Sequence, residues 1–383
     1  MKIPTVKIVT CTLAALCGLI PAWLSAATGK SGGEFMRIVQ SPRVVGMGET
    51  GAGLYGDLLG ALALNPASLA RTGGREAAFT YNSWLEGIAT QQAAYAQNLG
   101  GNNGVLAGSV SMLNMESVEG YNNSGTYTGK VDAGDMMVAV NYAVRLKGPW
   151  RDRRIGLFSG VGIKYAREKL DTISATTELF DVGLLWILRV KDGMLGLGAA
   201  VQSLGSGFKF DSQRDTSPAV FRAGVSYIIL PGGDPFSLAI DVKKPNDSGA
   251  VFSGGSEYLF KHVVALRVGY IADSDLGSGL RFGGGVVLKL MQIDYALSNY
   301  GKFGSAHRFS LSYKFGKIVN VTPYLSPDQE TARWKTERAR EFLKENRYYE
   351  AILELKDATE LDPGYAVAMD LLRQVRNRIE TAK

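Results

Sequence analysis

The sequence predicts an all-β transmembrane barrel of about 14 antiparallel strands, with a glycine-rich segment in front of it and a small α-helical module behind. Three observations point there. Stretches with a period of two follow one another from about residue 75 to residue 315, which is the alternation that puts apolar side chains on one face of a strand. Of the 47 glycines, 44 fall between residues 28 and 315, where tight bends and close backbone approaches would use them. No uninterrupted apolar run in that region reaches the roughly 20 residues of a spanning helix.

The chain opens with a secretory pattern over residues 1–27. Lys2 and Lys7 supply a basic start, "IVTCTLAALCGLI" an apolar stretch of 13 residues, and Ser25-Ala26-Ala27 a small-residue cleavage site. Pro21 closes the apolar run too early for a membrane anchor. Cys11 and Cys17 both lie in this stretch, so the exported chain has no thiol for a disulfide or a cysteine metal site. Export favours an oxidising envelope compartment and leaves 40 basic against 36 acidic residues, a mild excess with no Lys/Arg cluster interleaved with aromatics. Nucleic acid is not an expected partner.

Residues 28–74 carry "GMGETGAG", in which Gly46, Gly48 and Gly51 match G-x-G-x-x-G. A dinucleotide turn needs a preceding strand, a following helix and a βαβ frame. Only a short "RVV" precedes these glycines, no alternating strand and helix units follow, and an exported protein has no routine NAD supply. They call for another explanation.

Fourteen strands are then predicted at 76–86, 89–99, 104–116, 135–146, 154–169, 177–190, 194–208, 219–230, 235–243, 249–260, 262–272, 279–289, 291–299 and 305–315. In "HRFSLSYKF", Phe309, Leu311, Tyr313 and Phe315 alternate with Arg308, Ser310, Ser312 and Lys314. "FSLAIDVKK" and "VFRAGVSYII" do the same, whereas in "VGLLWIL" both faces are apolar and periodicity assigns no side. Most strands reach the nine or so residues that a tilted spanning strand needs. Trp84, Tyr142, Tyr165, Trp186, Tyr258, Tyr270 and Tyr300 recur near strand ends, where a headgroup boundary suits them. A sheet in lipid must close on itself, because hydrocarbon cannot satisfy an open edge.

From residue 316 the composition changes to 12 basic and 12 acidic residues among 68. A Pro-bearing linker, 316–327, leads to helices over 328–383. Ala339, Phe342, "NRYYEA", Ala351, Leu355, Ala358 and "LDP" follow the spacing of one tetratricopeptide repeat, although Lys335 and Arg338 stand where that repeat has an aromatic and an aliphatic residue. Phe342, Tyr348, Tyr349 and Leu355 are the candidate partner-binding residues.

The segment Glu34 to Ala70 resembles the N-terminal region of the PorV/PorQ group of outer-membrane proteins, themselves similar to the long-chain fatty acid transporter FadL. The resemblance rests on Ser41-Pro42-Arg43, on Gly46, Gly48, Gly51 and Gly53, on Asp57-Leu58 and on "NPASLA" from Asn65-Pro66 onward. It implies a small hatch on the periplasmic side of the lumen, with the glycines as packing and turn devices. It also implies passage of a hydrophobic small molecule of the fatty acid or lipid class, leaving sideways through a kinked strand. Asn114 and Met115 are the expected kink. PorV-type members instead serve type IX secretion as outer-membrane partners, and a periplasmic or secreted protein bound to the C-terminal helices is the alternative reading.

Catalysis is not expected. His262 and His307, the only histidines, have no nucleophile or carboxylate partner in view, Asp171 and Glu178 are too loosely placed for acid/base work, and "DSDLGSG" at 273–279 lacks the later ligands of a calcium loop. No cofactor or metal is called for.

Overall fold

The structure is a computed structural model that describes residues 31–100, 102–148, 155–191, 193–210, 213–231, 234–272, 277–316 and 327–381. The expected export signal of residues 1–27 and most of the predicted linker lie outside the described residues.

In chain order the strands are β1 (Arg75–Ser83), β2 (Ala89–Asn98), β3 (Val105–Asn114), β4 (Val118–Tyr121), β5 (Tyr127–Val131), β6 (Ala133–Lys147), β7 (Gly156–Leu170), β8 (Ile173–Val190) and β9 (Gly193–Gly205). They continue as β10 (Lys209–Phe210), β11 (Gln213–Arg214), β12 (Val220–Ile229), β13 (Phe236–Pro245), β14 (Val251–Phe260), β15 (Val264–Ile271), β16 (Leu280–Val287), β17 (Met291–Asn299) and β18 (Ser305–Phe315). Fourteen of them form a closed antiparallel barrel in which each strand pairs with its neighbour in sequence. The seam closes where β1 meets β18, from Arg75 opposite Phe315 to Ser83 opposite His307. All fourteen expected strands are present. The remaining four make two small hairpins, β4 with β5 and β10 with β11, which alternation did not foretell.

The barrel is apolar outside and mostly polar or small inside. On β18, Phe309, Leu311 and Tyr313 point outward while Arg308, Ser310 and Ser312 are buried in the lumen. On β13, Ile240 is 67% exposed and its neighbours Ala239 and Asp241 are buried. The ambiguous "VGLLWIL" resolves in the same way: Val182, Leu184 and Trp186 face out, and Leu185 and Ile187 face in. Both of its faces are apolar because the inner one packs on Met47, Leu54, Tyr55 and Ala67 of the N-terminal segment.

The longest connections, 115–132 and 206–219, emerge at the same end of the barrel, here the loop end. The opposite, turn end carries the start of β1 and the end of β18. The helical module comprises α3 (Pro327–Lys344), α4 (Tyr348–Leu361) and α5 (Ala366–Thr381), numbered after two short helices of the N-terminal segment described below. Its core is Leu355 and Val375 with Ala332, Ala339, Ala351, Ala358 and Ala368, alanines that let the helices approach closely. Lys335, which departs from the repeat pattern, bonds Asp357 at 2.6 Å and Glu354 at 3.2 Å on α4.

Candidate functional site

The lumen is filled by residues 31–74, threaded from the loop end to the turn end. Ser31 makes a β-bridge to Thr216 at the loop end, and Gly33 donates its backbone N–H to Glu168 Oε2 (3.2 Å). A 3-10 turn, Glu34–Arg37, follows, then α1 (Pro42–Gly46), α2 (Leu58–Leu64) and a second 3-10 turn, Pro66–Arg71, that leads to β1. The resemblance implied a small hatch on the periplasmic side; the segment is instead a plug that runs the length of the barrel.

Local sequence explains each bend. Ser41 caps α1, accepting from Val44 N (3.3 Å), and Pro42 occupies the first turn, where a missing N–H costs nothing. Asp57 caps α2 through Gly60 N (3.0 Å) and accepts from the Ser41 hydroxyl (2.6 Å), which ties the two helices together. Asn65 accepts from Ala67 N (3.0 Å) and donates to Ala52 O (2.8 Å) and to Leu184 O of the wall (3.0 Å). Pro66 thereby lies flat against Gly160 and Gly183.

The glycines of "GMGETGAG" meet glycines of the wall. A Cβ on Gly255 or Gly269 would overlap the backbone of Met47–Gly48, and one on Gly196 or Gly198 would overlap that of Ala52–Gly53. Gly46 abuts Gly283, and Gly48, at φ +73°, sits against the backbone of Tyr270. Gly51, at φ +149°, and Ala52 both donate N–H groups to Asp241 Oδ2 (2.9 and 2.8 Å). Together these contacts make a glycine collar, backbone against backbone, at mid-depth. Gly46, Gly48, Gly51, Gly53, Asn65 and Pro66 are thus brought together as packing devices, with no phosphate cradle among them.

Toward the turn end, charges bind plug to wall. Arg43 forks onto Glu257, Nη2 to Oε1 at 2.7 Å and Nε to Oε2 at 2.9 Å. Arg267 joins Glu257 at 2.6 Å and Asp294 at 2.7 Å. All four side chains are buried. Lysine and carboxylate pair also in the wall: Lys164 meets Asp181 at 2.7 Å where β9 carries an extra residue, Gln202 and Ser203 together facing Asp181. Ser203 adopts φ +56° there and donates its N–H to Asp181 Oδ1 (2.8 Å).

Above the collar a narrow crevice of about 50 Å³ separates the plug from the wall. Phe35, Met36 and Ile38 of the plug, with Leu113 and Met137, give it greasy walls; Gln92, Lys164 and Arg222 give it polar ones. The strap that roofs it is held by Arg37, whose Nη1 lies 3.0 Å from Asp247 Oδ1 in the loop after β13. Burial alone would raise the Asp247 pKa, but the Ser31 hydroxyl and the Arg37 guanidinium hold it below the usual carboxylate value.

The other expected site residues fare differently. Asn114 sits in a regular ladder, opposite Ala89 on one side and Gly134 on the other, and Met115 lies just past the strand end, so no kink opens β3. The irregularity at mid-wall is the β8–β9 bulge. In the helical module Leu355 is wholly buried and holds the core, and Phe342 and Tyr348 are half-buried against it. Only Tyr349, 74% exposed, is a surface residue of that set, and the exposed Leu353 one turn on was missed. Trp84 and Tyr300, expected at a headgroup boundary, turn toward the lumen mouth and pack edge-on at 5.0 Å. The charged wall residues left a trace that periodicity could have read: Lys164, Asp181, Glu257, Arg267 and Asp294 stand at inward positions of otherwise alternating strands.

Among the described residues no group of three or more His, Cys, Asp or Glu is placed to hold a metal ion. The chain matches no known family model, and no curated protein matches it. Among solved structures the barrel is similar to the Pseudomonas putida toluene transporter TodX, at 12% identity over 72% of this chain and 98% of that one, with a TM-score of 0.51. A Pseudomonas aeruginosa FadL homologue aligns at 11% identity over 72% and 98%, with a TM-score of 0.42. The first likeness shows a shared fold.

Proposed function

We propose that this protein is an outer-membrane barrel that conducts hydrophobic small molecules into or through the envelope, with its helical module in the periplasm. The observation that carries the reading is the inversion of polarity. Side chains such as Phe79, Ile163, Ile240 and Leu266 are exposed around the outside, while the lumen holds the charges. Water would penalise such an exterior at roughly 25 cal/mol per Å², whereas lipid tails solvate it without cost. At the collar the described residues of plug and wall meet backbone against backbone, which suits a cargo that must not carry water with it. The crevice offers such a cargo an apolar wall and a few polar groups. The fold shared with a toluene transporter supports the same substrate class, as does the resemblance of Glu34 to Ala70 to FadL-like proteins.

The mechanism follows from the two levels of the lumen. A hydrophobic molecule entering at the loop end meets Phe35, Met36 and Leu113. The collar below stops axial passage, so onward movement requires the strap Ser31–Ile38 to shift or the wall beside the crevice to part. Reconstituted into liposomes, the full chain is expected to accelerate uptake of a neutral hydrophobic dye over protein-free vesicles. A chain that stays dissolved without detergent, or one that inserts and gives no acceleration, would overturn the proposal.

A second reading, docking of a periplasmic protein, is favoured by Tyr349 and Leu353, 74% and 63% exposed on successive turns of α4. Deleting residues 327–383 is then expected to abolish cross-linking to a discrete partner while leaving dye uptake intact.

A further inference from the structure

A buried guanidinium stays ionised and loses its hydration, so a lumen arginine is expected to have a counter-charge. Arg43 and Arg267 have Glu257, Lys164 has Asp181, and Lys243 has Glu49 at 3.3 Å. At the loop end Arg222 bonds only the neutral Gln202 Oε1 (3.1 Å) but lies in the field of Glu49 and Asp241, and two further arginines depart from this pattern. Arg308 is fully buried and Arg281 is 4% exposed, yet among the described residues neither pairs with a carboxylate.

Their contacts are all uncharged. Arg308 donates from Nε to Val39 O (3.2 Å) and from Nη1 to Ser298 Oγ (3.0 Å), and its Nη2 has no partner. Arg281 donates from Nη1 to Leu280 O (3.0 Å) and Asn299 O (3.4 Å), and its Nε has no partner. Ser298 stands between them, opposite Arg281 across β16 and β17 and bonded to Arg308. Each guanidinium also lies against an aromatic ring, Arg308 over Trp84 at 4.6 Å and Arg281 over Tyr300 at 4.7 Å. The two rings touch each other, and half-exposed Trp84 closes the group off from the loop end. Glu49, the carboxylate in the field of Arg308, already answers to Lys243 and Arg222.

We infer that Arg281 and Arg308 form an oxyanion site beneath the Trp84–Tyr300 pair, taking a carboxylate, sulfate or phosphate group. Such a group supplies several acceptor oxygens to N–H donors that now have none, and it cancels charge in a place where water screens poorly. The rings lie over the guanidiniums, and Arg308 Nη2 and Arg281 Nε are the N–H groups left for the anion to meet. Neutral hydrocarbon gains nothing from this arrangement. The site requires only the closed barrel, so it stands whether or not the crevice conducts.

Thermal unfolding of the detergent-solubilised full chain tests the inference. Inorganic sulfate and phosphate form one arm and decyl sulfate and decyl phosphate another, each against chloride, or against a nonionic decyl detergent, at matched ionic strength. A saturable rise of at least about 2 °C is expected in one arm or both. A rise with the free ions identifies a small inorganic anion; a rise confined to the decyl compounds identifies an amphiphile headgroup. Arg281→Gln and Arg308→Gln are expected to remove the rise, and Lys302→Gln, an equal loss of charge in an exposed loop, to keep it. Should the glutamine variants fail to fold, wild-type crystals soaked in selenate are expected to show an anomalous peak between the two guanidiniums. No rise in either arm, a rise that survives both substitutions, or an empty site in the selenate crystals overturns the assignment.

Discussion

The lower and upper halves of the lumen are built from the same strands but hold the plug differently. From the collar to the turn end, backbone lies on backbone and the principal ion network, Arg43–Glu257–Arg267–Asp294, is closed. Toward the loop end a crevice intervenes, the strap is held by a few side chains, and among the described residues Arg281 and Arg308 form no ion pair with a carboxylate. The difference separates two tasks. Glycine against glycine leaves little room to rearrange, so under the proposed function the lower half serves as the seal. The upper half keeps a narrow crevice and is closed by contacts that exchange singly, which under the proposed function makes it the place for ligands.

The largest way to break this contrast is to give the seal a side chain. Gly255→Val projects into the backbone of Met47, whereas the neighbouring Gly254→Val points outward with its nearest atom at 3.8 Å. Overpacking costs about 1–3 kcal/mol even where neighbours can yield, and here the neighbour is backbone. The inward variant is expected to displace the plug and raise ion conductance in planar bilayers at least tenfold, with the outward variant indistinguishable from wild type. Equal conductance in both would mean that the collar is not the seal.

Next comes the network itself. Glu257→Gln leaves Arg43 buried without its carboxylate and Arg267 with Asp294 alone, a loss expected to cost about 3–5 kcal/mol. Protease sensitivity of residues 31–74 in detergent should rise accordingly, while the heat-dependent gel shift of the barrel persists. Replacing both partners, Arg43→Met with Glu257→Leu, is expected to recover part of the loss, because two apolar groups of similar volume need no counter-charge.

Much of the wall was legible in the sequence, and the reason is local. Period-two alternation is written in consecutive residues, so even β8, where both faces are apolar, was found as a strand. What joins the plug to the wall was not legible, because Arg43 and Glu257 are 214 residues apart and meet only after the barrel closes. The glycines showed the same limit: their clustering marked the segment, but only Gly255, Gly269 and Gly198 across the lumen give it a purpose. Trp84 and Tyr300 misled because a ring near a strand end can face a lumen arginine as readily as a headgroup. The hairpin β4–β5 escaped notice because "VEGYNNSGTYTGKV" pairs only with itself and has no core to alternate against.

The smallest effect belongs to the strap, and it sharpens the contrast through pH. Asp247 has a folded pKa below its usual value, so the contact with Arg37 contributes fully above the unfolded value of about 3.9 and is lost as the pH falls through the lower, folded one. Hydrogen exchange of residues 31–38, after correction for intrinsic rates, is therefore expected to show an acid step below about pH 4, beneath any step from Glu34, whose carboxyl burial holds above its ordinary value. Asp247→Asn should remove that acid step and lower protection at pH 7 by about 1 kcal/mol or less, since the partner Arg37 keeps Asn246 at 2.9 Å and Glu34 at 2.6 Å. Residues 46–53, held by the collar, should show no step with the same variant. If strap and collar lost protection together, the plug would move as one body and the two halves of the lumen would share a single task.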